Sequence, residues 1–304
     1  STKLHLGEGI ANAFSRTVTK DDLKGVLASG TYTDANNGEH TYDQKIQVAN
    51  LSLTQFSEND YRADTPTMGF MLNSGSEVLT YTLDFNDNPA FDSTMKNTEI
   101  TMMGKKYYIT KAEGSNNKLT LLDTANTQTI NEGQTVAVTL NGKSYSIVVT
   151  SVTQAPSGST SDKVKYSVNG KSPSTSQYVG DTFKVEEGVY VGVKDVIYRS
   201  KESAISSAEL TIGNGKIVLQ NFTEVQVNDK TINGVYAVLQ NNSASKLDSI
   251  QIQWKADGKQ FLTDNSSLTM PVFGAAKLST TGMKYPVIET VSIGNNGRNV
   301  DQIK

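Results

Sequence analysis

The amino-acid sequence predicts an all-β protein with two or three sandwich-like or barrel-like domains and one short helix near the N-terminus. Short runs of alternating apolar residues recur along most of the chain, and apolar residues two positions apart lie on one face of a strand. Turn signals that contain glycine separate these runs about every 8–12 residues, a spacing typical of sandwiches and barrels.

The predicted helix lies in the segment that ends at Gly30. Thr19 is placed to cap it, and Asp22 follows three residues later as a weak capping box. An apolar stripe at 23–27 comes next, and Gly30 is a stop signal. The preceding segment, 1–16, has no partner among the predicted strands, so we expect it to be available to add a strand to a neighbouring copy.

From Tyr42 onward the predicted elements are strands joined by turns. A turn is predicted at 64–66, and the loop at 84–92 holds Asn88-Pro89. A Ser/Thr/Gly-rich interruption at 155–162 is typical of a long hairpin loop, with a domain boundary as the alternative. One or two strands are predicted at 46–53, and further strands at 70–72, 78–85, 136–140, 145–149, 210–212, 217–219, 225–227, 235–239, 250–254 and 268–273.

Asn-Gly pairs predict three of the hairpins. They lie at 141–142, 214–215 and 233–234, each between two alternating runs. Both residues of Asn-Gly tolerate positive φ, which the type I′ hairpin turn requires. The last dozen residues are polar, contain Asn296-Gly297, and are predicted to form a tail or an edge strand.

Composition excludes several functional classes. The 304 residues carry a net charge of −3 without a basic stripe, which argues against nucleic-acid binding. The absence of cysteine excludes disulfides and thiolate zinc sites but does not decide the compartment. No apolar run approaches the ~18 residues that span a bilayer, so no transmembrane segment is predicted.

The low charge also bears on self-association. Charged residues make up 19% of the chain, below the usual ~25%. Such a surface repels copies of itself weakly, so it tolerates dense packing, although an ordinary low-charge soluble protein has the same composition. The chain begins at Ser1 rather than Met, which fits a mature form whose signal peptide has been removed and fits a trimmed chain equally well.

No catalytic constellation is evident, so the chain is predicted not to be an enzyme. Its two histidines, His5 and His40, lie in segments predicted to be terminal or looped, and there is no Gly-x-Ser-x-Gly elbow. With 31 acidic residues, the sequence leaves a pair of carboxylates of the glycosidase type open. The tryptophan, Trp254, alternates with Ile250 and Ile252 and is predicted to lie in the core.

Two kinds of candidate site remain. Asp84, Asn86, Asp87 and Asp92 form a candidate calcium site, although Met95 stands where an EF-hand has its bidentate Glu, and a solvated turn is the alternative. Apart from calcium no cofactor is predicted.

Sequons of the Asn-x-Ser/Thr type are the second kind of candidate site. They arise readily by chance in such a chain and matter only after export. The candidate N-glycosylation sites are Asn50, Asn221, Asn241 and Asn265.

An ordered set of short motifs carries a family resemblance. The set includes 64–70, Tyr81-Thr-Leu-Asp-Phe, Met103-Gly-Lys-Lys-Tyr-Tyr-Ile, Lys118-Leu-Thr-Leu-Leu, Gly142-Lys-Ser-Tyr, Gly188-Val-Tyr-Val-Gly-Val, Ile250-Gln-Ile-Gln-Trp and Met270-Pro-Val-Phe-Gly. In this order it resembles the β core of archaeal surface-layer (S-layer) proteins, over roughly 40–280.

The resemblance implies a domain arrangement and a role. Residues 1–98 would form an N-terminal β domain, 99–198 an inserted β-sandwich, and 199–304 a segment that completes the first domain. The chain would be a structural, self-assembling subunit of an extracellular coat at the cell surface, with copies of itself as partner and no catalytic residues. Because it is shorter than typical members and ends without a membrane anchor or acidic stalk, a filament, sheath or adhesive appendage assembled by strand exchange is the alternative, and a monomeric adhesin is another.

Overall fold

The computed structural model is all-β, as the sequence predicted. It describes residues 3–56, 67–140, 142–156, 161–200, 204–241, 245–274, 276–280, 293–295 and 301–303. Within these ranges the helical elements are three single 3₁₀ turns, at Ile10–Asn12, Ser93–Met95 and Gly114–Asn116. The predicted turn at 64–66, the residue Asn141 and the pair Asn296-Gly297 lie outside the described residues.

The strands follow one another in short steps along the chain. The first half contains β1 (Thr17–Val18), β2 (Gly30–Thr33), β3 (Glu39–Val48), β4 (Thr54–Phe56), β5 (Thr67–Leu72), β6 (Glu77–Phe85), β7 (Thr98–Met102), β8 (Lys105–Glu113), β9 (Lys118–Asn131), β10 (Thr135–Leu140), β11 (Lys143–Thr153) and β12 (Lys163–Val168). The second half contains β13 (Gln177–Tyr178), β14 (Thr182–Glu186), β15 (Val189–Ile197), β16 (Ser207–Gln220), β17 (Thr223–Val227), β18 (Lys230–Asn241), β19 (Leu247–Lys255), β20 (Gln260–Leu262), β21 (Ser267–Thr269), β22 (Lys277–Ser279), β23 (Ile293–Asn295) and β24 (Asp301–Ile303).

Most of these strands belong to one antiparallel sheet of thirteen strands. Its order is β1-β3-β6-β19-β18-β17-β16-β9-β8-β7, with β2 added beside β3 and with β15 and then β14 beside β16. A separate sheet has the order β10-β11-β12-β13. In it β11 and β12 pair from Thr153 opposite Lys163, so the 155–162 interruption connects two paired strands, as predicted.

The buried side chains form two large clusters. The main core includes Tyr81 and Trp254, and the second core includes Val149 and Tyr166. The long strands β9 and β16 contribute to both, because Leu121 lies in the main core whereas Ile130, nine positions further along β9, lies in the second. The passage from one core to the other therefore falls inside these two strands, while the domain boundaries at 98/99 and 198/199 stay predictions.

Two of the three predicted Asn-Gly hairpins are wrong in position. β16 runs straight through Asn214-Gly215, where the ladder to β9 is interrupted by a register shift. β18 likewise runs through Asn233-Gly234, and the turn that precedes it lies at Asn228-Asp229, whose φ values are 53° and 66°. The hairpin of β10 and β11 is confirmed, with Leu140 opposite Lys143.

The predicted N-terminal helix is absent and is replaced by consecutive turns. The capping contacts form, since the Asp22 carboxylate accepts a bond from the Thr19 N–H at 2.9 Å. Two i→i+4 hydrogen bonds follow, donated by the N–H groups of Leu23 and Leu27. The helical turns end at Leu27, which is fully buried in the main core. A segment this short does not form enough hydrogen bonds to offset the free-energy cost of helix nucleation, so the burial of Leu27 determines its conformation.

The N-terminal segment also has a partner in its own chain. The N–H of Gly7 donates to the Leu53 carbonyl, and the N–H of Ile10 donates to the Leu51 carbonyl. An isolated bridge joins Gly9 to Ser52. The expectation that 1–16 lacks an internal partner is therefore wrong for residues 7–10.

Candidate functional site

The loops at one end of the main-core strands meet and form a polar surface, which we call the loop end. It consists of the connections 34–38, 86–97, 114–117 and 221–222. Backbone hydrogen bonds join these loops to one another and to Ser245, before β19. They run from Ala35 N–H to the Thr94 carbonyl, from Phe91 N–H to the Ser245 carbonyl, and from Asn221 N–H to the Asn117 carbonyl, each at 2.9 Å. All four candidate calcium ligands and two of the sequons lie at or beside this surface.

His40 is held between two carboxylates at the loop end. It lies in β3 rather than in a loop, its Nδ1 is 2.6 Å from Asp87 Oδ1, and its Nε2 is 3.4 Å from Asp34 Oδ2. The ring stacks on Tyr32 with a centroid distance of 6.0 Å. Both ring nitrogens thus face carboxylates, and the His40 side chain links β3 to two loops.

Asp34 organises the turn that begins the loop end. Its Oδ1 accepts bonds from the N–H groups of Asn36 and Gly38, both at 2.8 Å. Although burial acts to raise the pKa of Asp34, these backbone hydrogen bonds and the His40 contact outweigh it and lower the pKa below its ordinary value. The carboxylate is therefore committed to holding the turn in its ionised form.

Each predicted calcium ligand has a partner of its own in the structure. Asp84 Oδ2 lies 3.5 Å from Lys45 Nζ, and Asn86 Nδ2 lies 3.3 Å from the Thr41 hydroxyl. Asp87 binds His40, and Asp92 caps the 3₁₀ turn by accepting from the Thr94 N–H at 2.7 Å. Among the described residues, no group of three or more acidic, histidine or cysteine side chains is placed to hold a metal ion.

The four sequon asparagines differ in what their amides bind. The Asn50 and Asn221 carbonyl oxygens accept from the Ala11 and Leu239 N–H groups, both at 3.0 Å. The Asn241 Nδ2, the atom to which a glycan attaches, donates to Asn117 Oδ1 at 2.7 Å. Asn265 is exposed at a turn before β21 with φ 55°.

The loop end opens into a groove that runs between β2 and β7. The groove has a volume of about 560 Å³ and is lined by Thr31, Thr33, Asp34, Ala35, Asn37, Asn97, Thr98, Glu99, Thr101 and Lys106. Glu99 lies 3.1 Å from Lys106 Nζ, and Asp34 is committed to its turn. Its lining contains no aromatic side chain for a sugar ring to stack on.

Beneath the groove, side chains of β2 and β3 join these strands to β7, and the described residues form no backbone ladder there. The Tyr42 hydroxyl donates to the Thr101 carbonyl at 3.1 Å, and the Tyr32 hydroxyl lies 2.9 Å from the Thr98 hydroxyl. Gln44 completes this seam, which sequence analysis missed. The sequence signal for Gln44 was that it is a polar residue two positions from Tyr42 and from Ile46, and so lies on the same inward face of β3.

No helix among the described residues has the length and apolar character that crossing a bilayer requires. No family model, no curated protein and no solved structure matches this chain.

Proposed function

We propose that this chain is a structural, self-assembling extracellular protein, the subunit of an S-layer-like cell-envelope coat. The observation that carries the proposal is that the four-stranded sheet begins and ends in strands, β10 and β13, with no further strand beside them among the described residues. Unpaired edges present rows of backbone donors and acceptors to other chains. The motif order resembling S-layer proteins supports the same role.

The proposal includes a finer fold. The second core is a β-sandwich in which the β10–β13 sheet faces parts of β9, β14, β15 and β16, since the buried side chains of both layers belong to one cluster. The main core is barrel-like, with the seam of β2 and β7 as its closure. Two β units that share β9 and β16 suit a structural subunit.

The proposed role is non-enzymatic. In support, the carboxylates of the groove are engaged by Lys106 and by the Asp34 turn, and the histidine at the loop end links loops. These groups serve the structure of the loops rather than a reacting centre. Calcium and N-glycans stay predictions: a calcium ion would need to draw its ligands away from their present partners.

The alternative is a filament, sheath or adhesive appendage assembled by strand exchange. It is less well supported for the N-terminal segment, because residues 7–10 would first have to leave their partners at 51–53. Exchange of another segment would not carry this cost.

Light scattering and negative-stain electron microscopy of the purified full chain test the proposal. We expect the average mass to rise with protein concentration and ordered sheets to form. Rods or tubes would favour the alternative. A mass that stays monomeric at every concentration, with calcium and with a chelator alike, would contradict self-assembly and favour a monomeric adhesin.

A further inference from the structure

The second core has edge strands of two different kinds. On one side lies β14, which is charged and irregular. Its register with β15 shifts between Lys184 and Glu186, Lys184 Nζ lies 2.9 Å from Glu187, and Lys143 Nζ lies 2.6 Å from Glu186. Charge and bulges are the devices by which proteins prevent an edge from pairing with another chain.

On the other side lies β10, which has none of these devices. Its sequence is Thr-Val-Ala-Val-Thr-Leu, with no charge and no proline. Its register with β11 is unbroken from Thr135 opposite Val148 to Leu140 opposite Lys143. Within the described part of the chain, β11 is the one strand paired with β10.

The geometry of the hairpin fixes which backbone groups of β10 point outward. Two residues connect Leu140 to Lys143, and residues that flank a two-residue loop exchange both of their backbone bonds. Alternation then directs the N–H and C=O groups of Thr135, Ala137 and Thr139 away from β11. In agreement, the Thr139 carbonyl accepts a bond of 2.9 Å from Asn126 Nδ2 of β9.

The solvent face beside this edge is uncharged. Thr135, Ala137 and Thr139 are exposed, and their cross-strand partners on β11 are Val148, Ser146 and Ser144. The first charged side chains on this face belong to β12, at Lys163 and Lys165. Like charges directly opposite each other destabilise strand pairs. A second copy of the same edge meets no such charge here.

We propose that the outer edge of β10 pairs antiparallel with β10 of a second copy, about a two-fold axis at Ala137. In this register Ala137 faces the partner's Ala137, and Thr135 faces the partner's Thr139. The three outward residues then form hydrogen-bonded pairs, in which the Thr139 carbonyl uses its second lone pair. The two four-stranded sheets become continuous. The inference rests on the proposed function and names one interface of the assembly.

Charge substitution at the edge tests the pairing. Ala137→Lys places two ammonium groups opposite each other, so we expect self-association by light scattering to weaken by about tenfold or more. Gln177→Lys is the matched control, because it puts the same charge on β13 at the opposite edge of the same sheet. Ala137→Ser keeps the edge uncharged and should associate like the wild type. Circular dichroism and the fluorescence of Trp254 establish that each variant is folded.

A single cysteine tests the two-fold register. The chain has no cysteine, and the pairing brings the two Ala137 Cα atoms to about 5.5 Å, inside the ~4.4–6.8 Å range of disulfides. Under copper-catalysed air oxidation, Ala137→Cys should become mainly a disulfide-linked dimer, whereas Gln177→Cys should not.

These experiments distinguish failure of the proposed β10 interface from failure of the proposed self-assembly. If Ala137→Lys assembles like the wild type, or Ala137→Cys crosslinks no better than Gln177→Cys, the β10 interface is refuted while self-assembly stands. A wild type that stays monomeric at every concentration refutes both.

Discussion

Gln44 of β3 joins β6 to the residues that precede β2 and follow β7, and its replacement by leucine is expected to destabilise the main core strongly. The side chain is 4% exposed, and its Nε2 donates to the Ala28 carbonyl at 2.6 Å. Its Oε1 accepts from the Tyr81 hydroxyl at 2.6 Å and from the Met103 N–H at 3.0 Å. One amide thus satisfies three groups from three different segments.

The size of the effect follows from which partners remain buried. Leucine fills a similar volume but accepts no hydrogen bond, so the donors of Tyr81 and Met103 lose their partner inside the core. Burial holds the pKa of Tyr81 well above its ordinary value, so the phenol stays a donor. Each unsatisfied buried group costs about 1–3 kcal/mol, while the carbonyl of exposed Ala28 regains water. The expected loss is about 2–6 kcal/mol, out of a typical total of about 5–15.

Urea unfolding followed by the fluorescence of Trp254, which is buried in the same core, measures this loss. Gln47→Leu, the same change three residues further along β3, is the control and should shift stability by no more than about 0.5 kcal/mol. Adding Tyr81→Phe to Gln44→Leu should recover part of the loss, because one orphaned donor is removed. Equal losses in Gln44→Leu and Gln47→Leu would refute the bridging role.

Three further predictions concern turns and acid. Gly180 has φ 86°, and a Cβ there would lie 2.6 Å from the Thr110 carbonyl. Gly180→Ala should therefore lower the thermal midpoint more than Gly75→Ala, whose φ is 80° with open space around it. Phe222 has φ 56° and is 76% exposed, so Phe222→Gly should raise stability by about 1 kcal/mol in urea unfolding; a loss would mean that the ring packs. The pKa of Asp34 is lowered on folding, so its contribution is complete above its unfolded pKa of 3.8 and is lost as the pH falls through the lower folded value. Asp34→Asn should flatten the loss of stability in that acid range, and an unchanged pH profile would contradict the assignment.

Strand positions were predictable from sequence because alternation depends on burial of one face. Ile250, Ile252 and Trp254 alternate in the sequence and are all buried in β19. The Asn-Gly signal was less reliable, because it reports only that positive φ is tolerated. At Asn214-Gly215 the chain forms a register shift inside β16 instead of a turn. The turn lies at Asn228-Asp229, and the Asn228 side-chain oxygen accepts a hydrogen bond from the N–H of Lys216 at 3.0 Å.

The candidate calcium ligands show why nearness in sequence does not predict a shared set of contacts. Asp84 is exposed at the end of β6, next to the buried Phe85, so its carboxylate points away from the core. Asp87 lies beyond the end of that strand and turns toward His40 of β3. Asp92 caps its own 3₁₀ turn. These side chains lie within nine residues of sequence, yet three different local structures give them different partners, and no periodicity in the sequence predicts those partners.

The contrast between the edges of the second core argues for pairing over chance. A lone subunit gains nothing from an uncharged β10, since a lysine at Ala137 would project into solvent without burying its charge. Such a lysine would prevent edge pairing, and β14 carries protection of that kind at Lys184. Residues 124–140 contain a single charge, at Glu132, although the chain as a whole is 19% charged. An edge of this kind is what the proposed pairing requires, because a second copy of this chain could supply a strand without like-charge repulsion.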